Sequence, residues 1–177
     1  MKSLKAFFPV VILSLVLASC GSPHEKLQTE IKSLEDSLFA DATKMIDKKM
    51  AQDLIAKYIE FADKFPDDPD TPGTLFKAGD MAMNLNMAQQ AIGIFDRIMN
   101  DYPDYEKTPQ CLFLKGYIYE NDFRDLEKAK QIYEEFLEKY PDDEFADDAE
   151  ISIQNLGKSP EDLIREFEEK SKQQEQI

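Results

Sequence analysis

The sequence predicts an all-α protein of three to four stacked helical hairpins, and three observations carry that prediction. First, the stretches KFPDDPDTP around Pro66, DYPDYEKTP around Pro103 and KYPDDEFAD around Pro141 recur at spacings of 37 and 38 residues. A period of that length is the mark of a repeat architecture. Second, the apolar residues between these marks fall at three- and four-residue steps, which place them on one face of a helix. Third, no segment alternates apolar and polar residues over a strand's length, and the Asn and Gly turns that join hairpin strands are missing.

Residues 1–19 are not part of that fold. Lys2 and Lys5 precede an apolar run from Ala6 to Leu17, and the small residues Ala18 and Ser19 close it, which is the layout of an export signal. The run of about twelve apolar residues is short of the ~20 that a membrane-spanning helix needs, and Pro9 interrupts it. The stretch Leu17-Ala18-Ser19-Cys20 resembles the bacterial lipobox. That resemblance implies cleavage before Cys20, lipidation of its thiol, and attachment to the membrane by several acyl chains, since a single chain holds a protein only marginally. An ordinary leader cut near Ala18 would instead leave Cys20 as a spare thiol. Residues 20–25 read as a tether, with His24 a solvated linker residue.

The helical domain is expected over 26–170. Leu27, Ile31, Leu34 and Leu38 are spaced four, three and four, under two heptads and so short of a coiled coil; this segment reads as a helix packed on the first hairpin. Leu54 to Phe65, Ala88 to Tyr102 and Leu126 to Tyr140 each carry an apolar stripe opposite a polar one. Thr71-Pro72 and Thr108-Pro109 read as N-caps followed by Pro at the first helical position. A helix from about Glu144 ends at Gly157, Ser159-Pro160-Glu161-Asp162 opens a closing helix, and the polar tail 171–177 frays.

Gly79, Ala91, Phe95 and Pro103, and in register Gly116, Ala129, Tyr133 and Pro141, resemble the landmarks of the tetratricopeptide repeat. The second set has one extra residue in its turn, around Asn121 to Arg124. An earlier unit is degenerate: Ala42, Tyr58, Phe61 and Pro66 fit, but Leu54 stands where Ala is expected. The resemblance covers roughly Glu35 to Glu169 and implies a right-handed superhelix whose first helices line a concave groove for peptides or helices of partner proteins. Phe39, Phe76 and Phe113 recur at steps of 37 at a position that faces the groove in that family. Asp80, Tyr117, Glu120 and Asn121 are neighbours by the same mapping. The alternative is that the three phenylalanines pack between adjacent hairpins.

Charge and composition exclude much else. The formal net charge is −15, and loss of Lys2 and Lys5 with the leader makes it −17. So acidic a surface repels phosphate backbones and disfavours nucleic acid, leaving basic protein segments as its natural complement. With Cys20 lipidated, Cys111 has no intrachain partner and reads as a small packing residue. Asp68, Asp70 and Gly73 match three positions of a calcium loop, but Pro72 and Gly79 stand where ligands are required. The chain contains no Gly-rich phosphate loop, HExxH or GxSxG, so no metal, cofactor or catalytic residue is assigned and an enzyme is not expected.

The reading that results is a lipid-anchored adaptor of a bacterial envelope, on the outer membrane and facing the periplasm. It is similar to the repeat lipoprotein of the β-barrel assembly machine and to Tol-Pal-associated repeat proteins, which implies a role in outer-membrane protein assembly or envelope maintenance. The alternative is a substrate-binding lipoprotein for nutrient uptake, which the absence of Trp disfavours for sugars.

Overall fold

A computed structural model describes residues 21–41, 43 and 45–174. The leader, Cys20, Ala42 and residues 175–177 lie outside the described residues. Those described form eight helices and no strand: α1 (Pro23–Leu38), α2 (Lys48–Lys64), α3 (Thr71–Asn84), α4 (Ala88–Asp101), α5 (Thr108–Asn121), α6 (Leu126–Lys139), α7 (Ala146–Asn155) and α8 (Pro160–Gln174). From α1 to α7 each helix packs on the next. None is long and apolar enough to cross a membrane.

The recurring Pro-containing stretches fold into one turn used three times. Phe65, Tyr102 and Tyr140 end α2, α4 and α6 with nearly identical backbone angles, φ −132, −133 and −134 and ψ 58, 58 and 56. In each turn the aromatic carbonyl accepts the amide three residues on, whose own carbonyl accepts the first amide of the next helix. Thr71 and Thr108 correct the N-cap expectation. They are the first residues of α3 and α5, not the caps, and each donates its hydroxyl back to the preceding aromatic carbonyl, Thr71 Oγ1 to Phe65 O at 2.6 Å and Thr108 Oγ1 to Tyr102 O at 3.0 Å. A buried hydroxyl needs an acceptor, and the carbonyl six residues back is the one the turn presents. Thr71→Val should therefore cost about 1 kcal/mol with little change in shape. Urea denaturation followed by circular dichroism checks it.

Within the second and third hairpins the helices approach through a glycine under an aromatic ring. A Cβ on Gly79 would lie 2.6 Å from Phe95 Cε1, and one on Gly116 would lie 2.7 Å from Tyr133 Cε1. Phe95 and Tyr133 are fully buried as a result. The links inside these hairpins are three residues (85–87) and four (122–125), in keeping with the extra residue expected in the second. Asn86 and Arg124 take the left-handed conformation there, at φ 59 and 56.

The first hairpin departs from the period. Its link, 39–47, is nine residues long, so a step of 37 back from α3 does not land at the matching place in α1. Side-chain pairing gives the register instead: Tyr58 donates to Glu35 at 2.6 Å as Tyr133 donates to Glu120 at 2.9 Å. On a helix the residue four before the acceptor lies one turn back on the same face, which puts Ile31 where the third hairpin has Gly116. Phe39, expected on a first helix alongside Phe76 and Phe113, is instead the C-cap of α1.

The N-terminal end also differs from expectation. Ser22 and Glu25 form a reciprocal capping box, so helix begins at Pro23 and residues 23–25 are not tether. His24 is tied down: its Nε2 lies 2.8 Å from Asp68 Oδ2, and its ring centroid is 4.7 Å from that of Phe65 and 5.3 Å from that of Phe61. The expected leucine stripe of α1 packs inward, with Leu27 and Ile31 buried and Leu34 and Leu38 half-buried against the same core. At the other end, Ser159 and Asp162 cap α8 reciprocally, and the helix continues to Gln174, beyond the expected fraying point at Ser171.

Candidate groove on the first helices

Three confluent clefts run along the exposed faces of α1, α3 and α5. The first, of about 780 Å³, is lined by Glu35, Asp36, Leu38, Phe39, Ile46, Tyr58, Lys77, Asp80, Met81, Asn84 and Leu85. The second, about 640 Å³, lies between α1, α3 and the turn before α5 and includes Gln28, Lys32, Thr74, Phe76, Tyr105 and Lys107. It shares Glu35, Tyr58 and Lys77 with the first. The third, about 540 Å³, includes Phe113, Tyr117 and Asn121, and meets the first at Asn84.

The boundary between the first two clefts is a polar bridge. Lys77 Nζ donates to Glu35 Oε1 at 2.8 Å, the Tyr58 hydroxyl donates to the same oxygen, and the Lys77 ammonium stands 5.8 Å from the centre of the Tyr58 ring. Burial alone would raise the Glu35 pKa, but the hydrogen bonds from Lys77 and Tyr58 and the lysine charge hold it below the usual carboxylate range. The Tyr58 phenol is pushed well up, first by burial and then by its hydrogen bond to the Glu35 carboxylate and that group's charge. A carboxylate with a depressed pKa in the folded state stabilises fully above its unfolded pKa, and that stabilisation is lost as pH falls through the lowered value. Acidification through the carboxylate range should therefore lower the melting temperature of the wild type more than that of Glu35→Gln, with the two curves converging at the acid end. Parallel curves in thermal melts across pH would show that the bridge does not form.

The expected groove residues divide by environment. Phe39 is 56 % exposed and Tyr117 45 %; Phe39 and Asp80 line the first cleft, Tyr117 and Asn121 the third. Phe76 and Phe113 do both things that were set against each other. Each is half-buried, with one side of the ring on the core and the other on a cleft. Phe76 lies 6.1 Å from Phe95 while the Lys107 ammonium covers it at 4.6 Å. Phe113 packs 5.6 Å from Tyr133 and 5.1 Å from Phe145. Glu120 holds the Tyr133 hydroxyl, and Asn121 Nδ2 donates to the Tyr117 carbonyl just as Asn84 Nδ2 does to that of Asp80.

Sequence reasoning missed Gln28, Lys32, Glu35, Ile46 and Lys77 as groove residues. The long α1–α2 link hid the first three, because their face of α1 can be assigned only once Tyr58 is seen to reach Glu35. Cys111 is where packing places it: fully buried, its thiol pushed up to about 12 by that burial, and therefore unreactive. No group of three or more metal-ligating side chains occurs among the described residues.

Fold and clefts define a stacked helical-hairpin protein whose first helices present a cleft-lined face. The tetratricopeptide repeat family matches residues 74–105 and 110–143, the segments of the α3–α4 and α5–α6 hairpins. Those two hairpins thus match the tetratricopeptide repeat, and repeats of this kind generally mediate protein–protein interaction and are typically non-catalytic scaffolds. No curated protein matches the sequence. The first hairpin, with its long link and Ile31 in place of glycine, lies outside the matched residues.

Proposed function

We propose that this chain is a lipid-anchored adaptor of a bacterial envelope that binds a segment of a partner protein along α1, α3 and α5. The observation that carries this reading is the run of confluent clefts on successive first helices, edged by Phe39, Phe76, Phe113 and Tyr117. Repeats of this kind present such a face to extended peptides and helices. The lipobox at Cys20 supports attachment to the outer membrane, facing the periplasm. Only Gly21 and Ser22 separate Cys20 from α1, so at ~3.5 Å per residue the first hairpin stands close to the lipid. Outer-membrane protein assembly and envelope maintenance are the processes in which such an adaptor serves.

Crosslinking in intact cells followed by purification tests the reading. Barrel-assembly or Tol-Pal components should be recovered with the wild type and lost with Tyr117→Ala, and Cys20→Ser should release the protein from the membrane fraction. Recovery of no protein partner, with a sugar or oligopeptide raising the melting temperature instead, would favour nutrient capture.

A further inference from the structure

The first cleft differs from the other two in being mainly apolar yet ringed by negative charge. Its floor is Leu38, Met81 and Leu85, and its outer wall is Phe39 and Ile46 from the long link, 56 % and 50 % exposed. A cleft of this size lined by apolar side chains, with a few polar groups at its mouth, has the form of a binding pocket. Its volume of about 780 Å³ suits one or two large side chains, not a helix buried whole. Around the mouth stand three carboxylates, Glu35, Asp36 and Asp80, against one ammonium, Lys77. Lys77 is committed to Glu35 at 2.8 Å, and Asp36 meets Lys32 only at 3.4 Å with both side chains in solvent. Asp80 has no ion-pair partner among the described residues. What fits is therefore apolar at its tip and positive beside it.

Resting on the adaptor reading, we propose that this cleft is the anchor site for the partner: it takes a Leu- or Phe-type side chain from a segment whose neighbouring Lys or Arg pairs with Asp80 and Asp36. The apolar side chain supplies the affinity by displacing water from Phe39, Ile46 and Met81. The basic residue sets direction and excludes acidic segments, because a carboxylate beside Asp80 would be repelled. The long link that breaks the repeat period has a use in this arrangement, since it supplies the outer wall that the short links of the later hairpins cannot.

The test uses the purified protein and three fluorescein-labelled twelve-residue peptides read by anisotropy. One carries Leu and Phe four residues apart flanked by lysines, one replaces the lysines with Glu, and one replaces Leu and Phe with Ser. The lysine-flanked apolar peptide should bind at least about tenfold more tightly than either of the others. Phe39→Ser and Asp80→Lys should each weaken it about tenfold, with melting temperatures unchanged because both residues are exposed. Ile151→Ser, an exposed apolar site on α7 away from the cleft, should leave it as it is.

Equal binding of lysine and glutamate peptides, binding of none of the three, or indifference to Phe39→Ser and Asp80→Lys would overturn the proposal. So would sedimentation showing a dimer that Phe39→Ser dissociates, since a second copy would then fill the cleft. If cellular partners are still captured by Phe39→Ser and Asp80→Lys but lost with Tyr117→Ala, the adaptor reading stands and this anchor site fails. If no partners are captured while the lysine peptide binds as described, the adaptor reading fails and the site stands.

Discussion

Phe95→Ala is expected to lower stability by about 3–5 kcal/mol, a large share of the ~5–15 kcal/mol available to a domain. The ring is wholly buried and lies over the notch at Gly79, where a Cβ would meet three of its carbons within 3.1 Å. It also touches Phe76 and belongs to the core shared by α1 to α5. Removing it leaves a cavity that the rigid glycine notch cannot close by side-chain movement, because glycine has no side chain to move. In a stack where each hairpin leans on its neighbours, a loss at α3–α4 is felt on both sides. Urea denaturation followed by circular dichroism should show a much lower midpoint, whereas Phe39→Ala, at an exposed site, should stay within about 0.5 kcal/mol of wild type. A Phe95→Ala protein as stable as wild type would mean that the ring does not occupy the notch.

The second large effect is one of sign. Gly116→Ala should destabilise by about 1–2 kcal/mol, although alanine is the better helix former by roughly 1 kcal/mol, because overpacking a filled core costs ~1–3 kcal/mol. The added methyl would lie 2.7 and 2.9 Å from Cε1 and Cδ1 of Tyr133. That ring cannot swing away, since it is fully buried and its hydroxyl is held by Glu120. Gly93→Ala, in the interior of α4 with nothing within 4 Å of its Cβ position, should stabilise by about 1 kcal/mol. Pairing Gly116→Ala with Tyr133→Leu should recover part of the loss, and the double-mutant cycle measures the coupling directly. Equal effects at Gly116 and Gly93 would show that only helix propensity is at work.

Much of this architecture was legible in the residues because its signals are local. Phe65-Pro66, Tyr102-Pro103 and Tyr140-Pro141 end helices wherever they occur, since the residue before Pro is driven out of the helical conformation. The stripes of α4 and α6 point to one side whatever packs there. The errors came where local rules met a neighbour from elsewhere in the chain. Thr71 and Thr108 look like caps, yet each hydroxyl finds a better acceptor in the carbonyl that ends the preceding helix. His24 reads as linker because nothing near it in the chain suggests Asp68, forty-four residues on, or the Phe61 and Phe65 rings. Phe39 reads as a third rung beside Phe76 and Phe113 because a period of 37 was carried through a link whose length changes.

The sequence by itself determined the helical class, the stop of α2, α4 and α6 at an aromatic–Pro pair and the burial of Cys111. These follow from helical periodicity, the restriction proline places on the residue before it and the need to hide apolar surface. The glycines and aromatics that meet in the second and third hairpins were marked by the resemblance to the tetratricopeptide repeat. Only the tertiary structure decided which face of α1 lines the groove, and that Phe76 and Phe113 serve core and cleft at once. It also decided that Lys77, Glu35 and Tyr58 divide the groove in two. Those outcomes turn on where separate helices come to rest against one another, and a nine-residue link leaves that placement to be settled by contacts between distant residues, such as Tyr58 with Glu35.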